Sequence, residues 1–241
     1  MYDLTSFSLS EMTACGSRLR RLGESARSLE EAAARIVRYL YDHLTDPRTG
    51  ESACALVRFF KTHPYGELDA ELQRFARQMA GSHPVSARTK CLVLLGTAGD
   101  RPEWNTRRAS AGHQAIPLAS EKLVAQFPMI SQLLTQFGLE VGNVVQGEAS
   151  LVLDPEQRTY NVFHVPSALD SPYMPQQAAF VKPYGIRSVV GVGSTLPPDD
   201  IFAVILFSKV AISRETAEIF RPLALSMKVA VLPLVPGRVF T

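Results

Sequence analysis

The chain has 241 residues, 46% hydrophobic and 20% charged, with a formal net charge of +2 at pH 7. Such values are ordinary for a globular protein, and a charge this near balance calls for neither a nucleic acid nor an anionic membrane as partner. Cys15, Cys54 and Cys91 are widely spaced and form no C-x-x-C pair, which supports neither a zinc site nor a disulfide framework.

The length fits one large domain, or one domain with a helical extension, better than two full domains. No uninterrupted apolar run approaches the ~18 residues of a membrane span, and the Met1 end has no basic-then-apolar leader. The expected location is cytoplasmic, with no membrane contact.

In chain order, Ser8-Leu9-Ser10-Glu11 is a capping box that starts a helix, and Gly23 is its stop. Met12, Cys15, Leu19 and Leu22 form a narrow stripe along that helix. A stripe of this kind pairs with another helix, either that of a second copy in a homodimer or the chain's own C-terminal helix. Arg18, Arg20 and Arg21 read as a solvated face. A second box, Ser28-Leu29-Glu30-Glu31, opens a stronger helix with Leu29, Ala33, Ile36, Val37, Leu40 and Leu44 on one side. Turn chemistry at residues 46–50 ends it.

Residues 52–62 read as a strand. Leu68, Leu72, Phe75 and Met79 then describe a short amphipathic helix that stops at Gly81 and Pro84. Residues 90–97 are almost wholly apolar, as in a central strand buried on both faces. A polar, irregular stretch containing Trp104 leads to His113 and the apolar Ile116-Pro117-Leu118. Ser120 caps a helix with Leu123, Phe127, Ile130, Leu134 and Phe137 inward, which Pro128 must kink or split.

Residues 141–145 and 151–153 read as short strands, and residues 159–165 as a clearer one. A loop over 166–174 and a short helix over 175–181 lead to a strand, a turn at residues 197–200, a second strand and a closing amphipathic helix over 213–232. The whole is α+β with an antiparallel sheet, because the last strands are too closely connected for parallel crossovers.

The order of these parts resembles a GAF domain, a PAS-like sensory module of bacterial signalling proteins. The residues that carry the likeness are a leading helix over 28–44, the strand Ala53-Cys54-Ala55-Leu56-Val57-Arg58-Phe59-Phe60, and the later strand Tyr160-Asn161-Val162-Phe163-His164-Val165. The hairpin Tyr184-Gly185-Ile186-Arg187-Ser188-Val189-Val190-Gly191-Val192-Gly193 and Phe202-Ala203-Val204-Ile205-Leu206-Phe207-Ser208, with its terminal helix, completes the pattern. It runs over residues 24–232, with Phe202-Ala203-Val204 standing where a glycine usually begins the second hairpin strand. The resemblance implies a sensory domain over 24–235 with a helical insertion around 98–138, preceded by a helical extension over 1–23. The N- and C-terminal helices are expected to pack together.

The resemblance further implies a small-molecule pocket between one sheet face and its covering helices and loops. Trp104, Arg107, Arg108, His113, His164, Tyr173 and Tyr184 are the polar and aromatic candidates to line it. A tryptophan followed by two arginines can cap an anionic or aromatic ligand by stacking and bidentate hydrogen bonds, or can simply anchor a loop. His113 and His164 raise haem or metal ligation, but His164 at a strand end more simply satisfies a backbone carbonyl. Cys54 and Cys91 inside apolar strands read as core residues, so no covalent bilin is expected.

The nucleophile-elbow, zincin, P-loop and Gly-rich dinucleotide motifs are missing, which argues against an enzyme and gives no catalytic residue. With no helix-turn-helix either, output is expected through a downstream signalling domain or partner protein, driven by terminal helices of a dimer. The alternative is a ligand-free, GAF-shaped scaffold for dimerisation and protein contacts.

Overall fold

The computed structural model describes residues 1–110, 112–146 and 162–241. Eight strands are β1 (Tyr2–Asp3), β2 (Leu44–Thr45), β3 (Cys54–Pro64), β4 (Lys90–Gly99), β5 (Ala115–Pro117), β6 (Phe163–Val165), β7 (Ser188–Leu196) and β8 (Asp200–Ser208). The helices are α1 (Leu9–Arg21), α2 (Leu29–His43), α3 (Ala70–Ala80), α4 (Glu121–Val124), α5 (Pro128–Gln136), α6 (Val141–Gln146), α7 (Arg214–Ile219) and α8 (Arg221–Val231). Strands β3 to β8 form one six-stranded antiparallel sheet in the order β5-β4-β3-β8-β7-β6, and β1 pairs with β2 in a small parallel ribbon. This is the α+β architecture expected from the sequence.

Central strands β3 and β8 are buried on both faces, which their nearly unbroken apolar runs allow. On the first face, Val57, Phe59, Val93, Leu95, Val204 and Leu206 meet α1, α2 and α8 in one core. On the second face, Leu56, Phe60, Leu94, Ala203 and Ile205 meet α4 to α6 and the loop residues Ala168, Met174 and Val181.

The capping box of α1 is complete: Ser8 Oγ accepts from the Glu11 amide and the Glu11 carboxylate accepts from the Ser8 amide. That of α2 is only half formed. Ser28 Oγ accepts from the Glu31 amide, but the Glu31 carboxylate takes the Arg27 amide and the Arg35 guanidinium instead.

The stripe on α1 is used within the chain. Cys15 and Leu19 are fully buried against α8, and Met12 and Leu22 pack partly buried onto the same core. Gly23 does more than stop the helix, since a Cβ there would lie 1.8 Å from the Ala230 carbonyl oxygen, so only glycine lets the two chains approach. The N- and C-terminal helices therefore pack together, as expected.

Three elements differ from the sequence reading. Residues 141–145 are helical, not extended: Val144 donates its amide to Glu140 and buries its side chain, so the turn satisfies its own backbone. The closing helix is two, because Pro222 has no amide to give and is accommodated in the first turn of α8. Pro128 splits the preceding helix as expected, opening α5 after α4 ends at Val124. Residues 182–185 form a turn with Gly185 at φ +61°, and the hairpin strand starts only at Ser188. The strand expected over 151–153, and the beginning of the one expected over 159–165, lie outside the described residues.

Candidate functional site

The second sheet face carries the chemically unusual residue. Arg58 sits in the middle of β3, opposite Thr97 of β4 and Ile205 of β8. Alternation along the strand puts Val57 and Phe59 toward the first core and Arg58, between Leu56 and Phe60, toward the second. The residue is 9% exposed. Among the described residues it makes one hydrogen bond, from Nη2 to Ser110 Oγ at 3.0 Å, while the buried Nε has no partner.

No carboxylate among the described residues answers that charge. Among the described residues Asp200 pairs with Lys61 and Lys90, Glu30 with Arg107 and Asp100 with Lys209. Burial lowers the Arg58 guanidinium to about 10, which still leaves it cationic at neutral pH. An unpaired ion in an apolar interior carries a penalty of several kcal/mol. His113 is close enough to feel it: burial first, and the Arg58 charge second, hold the imidazole down to about 4, so it is neutral. The His113 backbone is left-handed, at φ +59°.

An aromatic cluster stands in the same layer. Trp104 packs edge-on against Tyr184, with centroids 4.5 Å apart, and against Phe180 at 5.6 Å; Phe180 in turn meets Phe207 at 5.1 Å. Trp104 is positioned by Thr97 Oγ1, which donates to its carbonyl, and by Gly99, where a Cβ would press on the indole. Tyr173 packs on the same core from the loop before the π-helical turn Gln177–Val181.

The sequence candidates thus divide. Trp104, Tyr173 and Tyr184 share the second layer, and His113 lies near Arg58. Arg107 turns the other way: it is buried, bonds Glu30 at the start of α2 and lies over the Phe240 ring at 5.3 Å. Arg108 is exposed and reaches the Thr241 carbonyl. Neither faces Trp104, so the expectation that the indole and two arginines form one cap is corrected. His164 donates from Nε2 to the Ile212 carbonyl at 3.0 Å, which fixes its tautomer and occupies it structurally.

Sequence reasoning passed over Arg58. The signal was present as one arginine inside the otherwise apolar run Cys54-Ala55-Leu56-Val57-Arg58-Phe59-Phe60, where a strand buried on both faces leaves a charge no route to water.

A groove of about 580 Å³ beside α1 and α2 is lined by residues including Tyr2, Arg18, Arg21, Tyr39 and His43. Its half-buried polar groups satisfy one another, through Tyr2 Oη to Tyr39 Oη at 2.7 Å and His43 Nδ1 to the Tyr39 carbonyl at 2.9 Å. Among the described residues there is no group of three or more His, Cys, Asp or Glu side chains that could hold a metal. No helix among them is long and apolar enough to cross a membrane.

No family model and no curated protein matches the chain. Among solved structures, the N-acylhomoserine lactone dependent LuxR family transcription factor CepR2 from Burkholderia cenocepacia aligns over 94% of this chain and 96% of that chain, at 12% identity and a TM-score of 0.46. A likeness this loose carries no inference about ligand or partner.

Proposed function

We propose that the chain is a sensory or regulatory domain of GAF-like type that binds a small molecule over the second sheet face. The observation that carries this reading is Arg58, a buried cation without a counter-charge among the described residues, in the layer that also holds the aromatic cluster. Small-molecule sites are mostly apolar with a few convergent polar groups, and a buried unsatisfied donor calls for a partner. The domain itself performs no catalysis on this reading, and its output passes to a downstream domain or partner protein.

Signal transmission is assigned to the first face, where α2 packs on β3 and β4, α8 packs on β7 and α2, and α1 packs on α8. Occupancy against β3 and β8 would alter the seat of α8 through α2, which packs on β3, and β7, which pairs with β8. Leu225, Val229 and Leu232 form a ridge along the outside of α8, 63%, 46% and 39% exposed. We place a homodimer contact there, since α1's own stripe is already packed inside the chain. The same ridge favours a second reading, a ligand-free dimerisation scaffold.

Native mass spectrometry of the untreated protein separates the two readings and reports both properties together. The sensory reading expects a dimer that releases a small molecule on collisional activation. A dimer at the bare polypeptide mass, with no metabolite raising its melting temperature, supports the scaffold instead.

A further inference from the structure

We infer that the molecule held on the second sheet face is a carboxylate with an apolar or aromatic body, anchored side-on by Arg58. This rests on the reading that the face binds a small molecule, and it adds the chemical class of that molecule.

The donors define the class. The unpartnered Nε–H of Arg58 and one N–H of Nη2 lie along the same edge of the planar guanidinium, the edge that grips a carboxylate with two parallel hydrogen bonds. Nη2 is held by Ser110 Oγ, which fixes the plane of the fork. Arginine cannot turn this edge toward water, because the side chain is nine-tenths buried in the centre of the sheet.

Charge balance then limits the anion. Ser110 and Thr97 are neutral, and His113 is neutral because burial and the Arg58 charge disfavour its proton. Arg107 is already matched by Glu30, and Arg108 sits at the surface against Thr241. The site therefore presents one positive charge. A monoanion balances it, whereas a phosphate dianion would bring an uncompensated negative charge into the same apolar layer.

The body of the molecule follows from what surrounds the charge. Leu56, Phe60 and Ile205 flank Arg58 on the sheet, and Phe163 lies farther along the same row, paired with Gly191, which is itself paired with Ile205. Trp104 and Tyr184 pack on the same core and add aromatic surface to this layer. No second polar anchor is buried without a partner among the described residues. One charged end and a largely apolar remainder fit these surroundings.

The test compares acids with their own amides on the full chain, freed of bound small molecules by on-column washing in denaturant and refolding. Phenylacetate and decanoate are titrated beside phenylacetamide and decanamide, with inorganic phosphate as a third arm, and the melting temperature is followed. At least one acid is expected to stabilise the wild type with an affinity about tenfold or more above its amide, as the loss of a charge-assisted hydrogen-bond pair implies. Phosphate is expected to give no shift. Arg58→Met should abolish the acid's advantage; Arg58→Lys, which keeps the charge but not the fork, should reduce it; Ser110→Ala, on a loop outside the sheet, should reduce it while leaving the fold intact.

Equal stabilisation by acid and amide, or an acid preference that survives in Arg58→Lys and Ser110→Ala alike, would overturn the carboxylate anchor while leaving a ligand-binding domain standing. A response to phosphate but to neither carboxylate overturns the monoanion assignment. No shift with any probe, together with a bare polypeptide mass for untreated protein, overturns both readings.

Discussion

Arg107 donates from Nε to Glu30 Oε1 at 3.0 Å, tying the loop after β4 to the first turn of α2. The same carboxylate accepts the Thr241 amide at 3.0 Å, and the Leu29 and Glu30 amides are taken by the Arg238 and Val239 carbonyls. Three stretches far apart in sequence therefore converge at one helix start, and the arginine that looked like a ligand cap is its clamp.

Replacing Arg107 by alanine should leave Glu30 buried without its partner and cost about 3 kcal/mol of unfolding free energy. The acid-over-amide preference of the second face should be unchanged. Urea denaturation checks the first expectation and the carboxylate titration the second; a lost acid preference in a folded Arg107→Ala protein would return Arg107 to the ligand site.

Gly23 and Gly16 both face α8, but they should respond differently to alanine. At Gly16 the nearest atom is the Ser226 hydroxyl, 2.8 Å from a built Cβ, and a hydroxyl can rotate away. At Gly23 it is the Ala230 carbonyl, 1.8 Å away and part of a helix backbone. Gly23→Ala is expected to cost about 1–3 kcal/mol or more by forcing α1 off α8, and Gly16→Ala less than ~1 kcal/mol. Melting curves of the two variants decide it.

Asp200 governs the acid limit. Burial on its own would push its carboxyl up, but Lys61 and Lys90, both bonded to it, outweigh burial and hold it below the usual carboxylate value. A depressed folded-state value means that its contribution is complete above the unfolded value, near 3.8, and is lost as pH falls through the folded one. Stability should therefore fall below about pH 4. Asp200→Asn should be less stable at pH 7, since it leaves Lys61 buried without a counter-charge, and should show a shallower loss on acidification. An unchanged acid slope would contradict this.

All three cysteines are free and buried, and burial pushes the thiols of Cys15, Cys54 and Cys91 up to about 12. The thiolate is the reactive form. Iodoacetamide at pH 8 should leave the native protein unmodified and label all three positions in guanidinium chloride, as intact mass will report.

The sheet is legible in the sequence because its main strands are uninterrupted apolar runs bounded by turn residues, and α1 and α2 because Ser8 and Ser28 announce them. What could not be read has a common physical origin in tertiary context. Val141, Val144 and Val145 have the local preference of a strand, yet Val144 is buried from a helix. Arg107 was visible as a loop arginine, but Glu30 lies on a different element and only the fold brings them together. Arg58 is the reverse case: its anomaly was local, a charge in a doubly buried strand, and only the absence of a counter-charge among the described residues shows that it matters.

That absence gives the most direct measurement. Urea denaturation of ligand-free wild type should be compared with ligand-free Arg58→Met, which fills the same volume without charge. If Arg58 waits for an anion, the variant should be as stable as the wild type or more stable, by up to about 4 kcal/mol, because an unpaired buried charge has been removed. If Arg58→Met is instead destabilised by more than about 2 kcal/mol, Arg58 holds the fold through Ser110 and its packing, and the account of the second face as an anion-anchoring site is wrong.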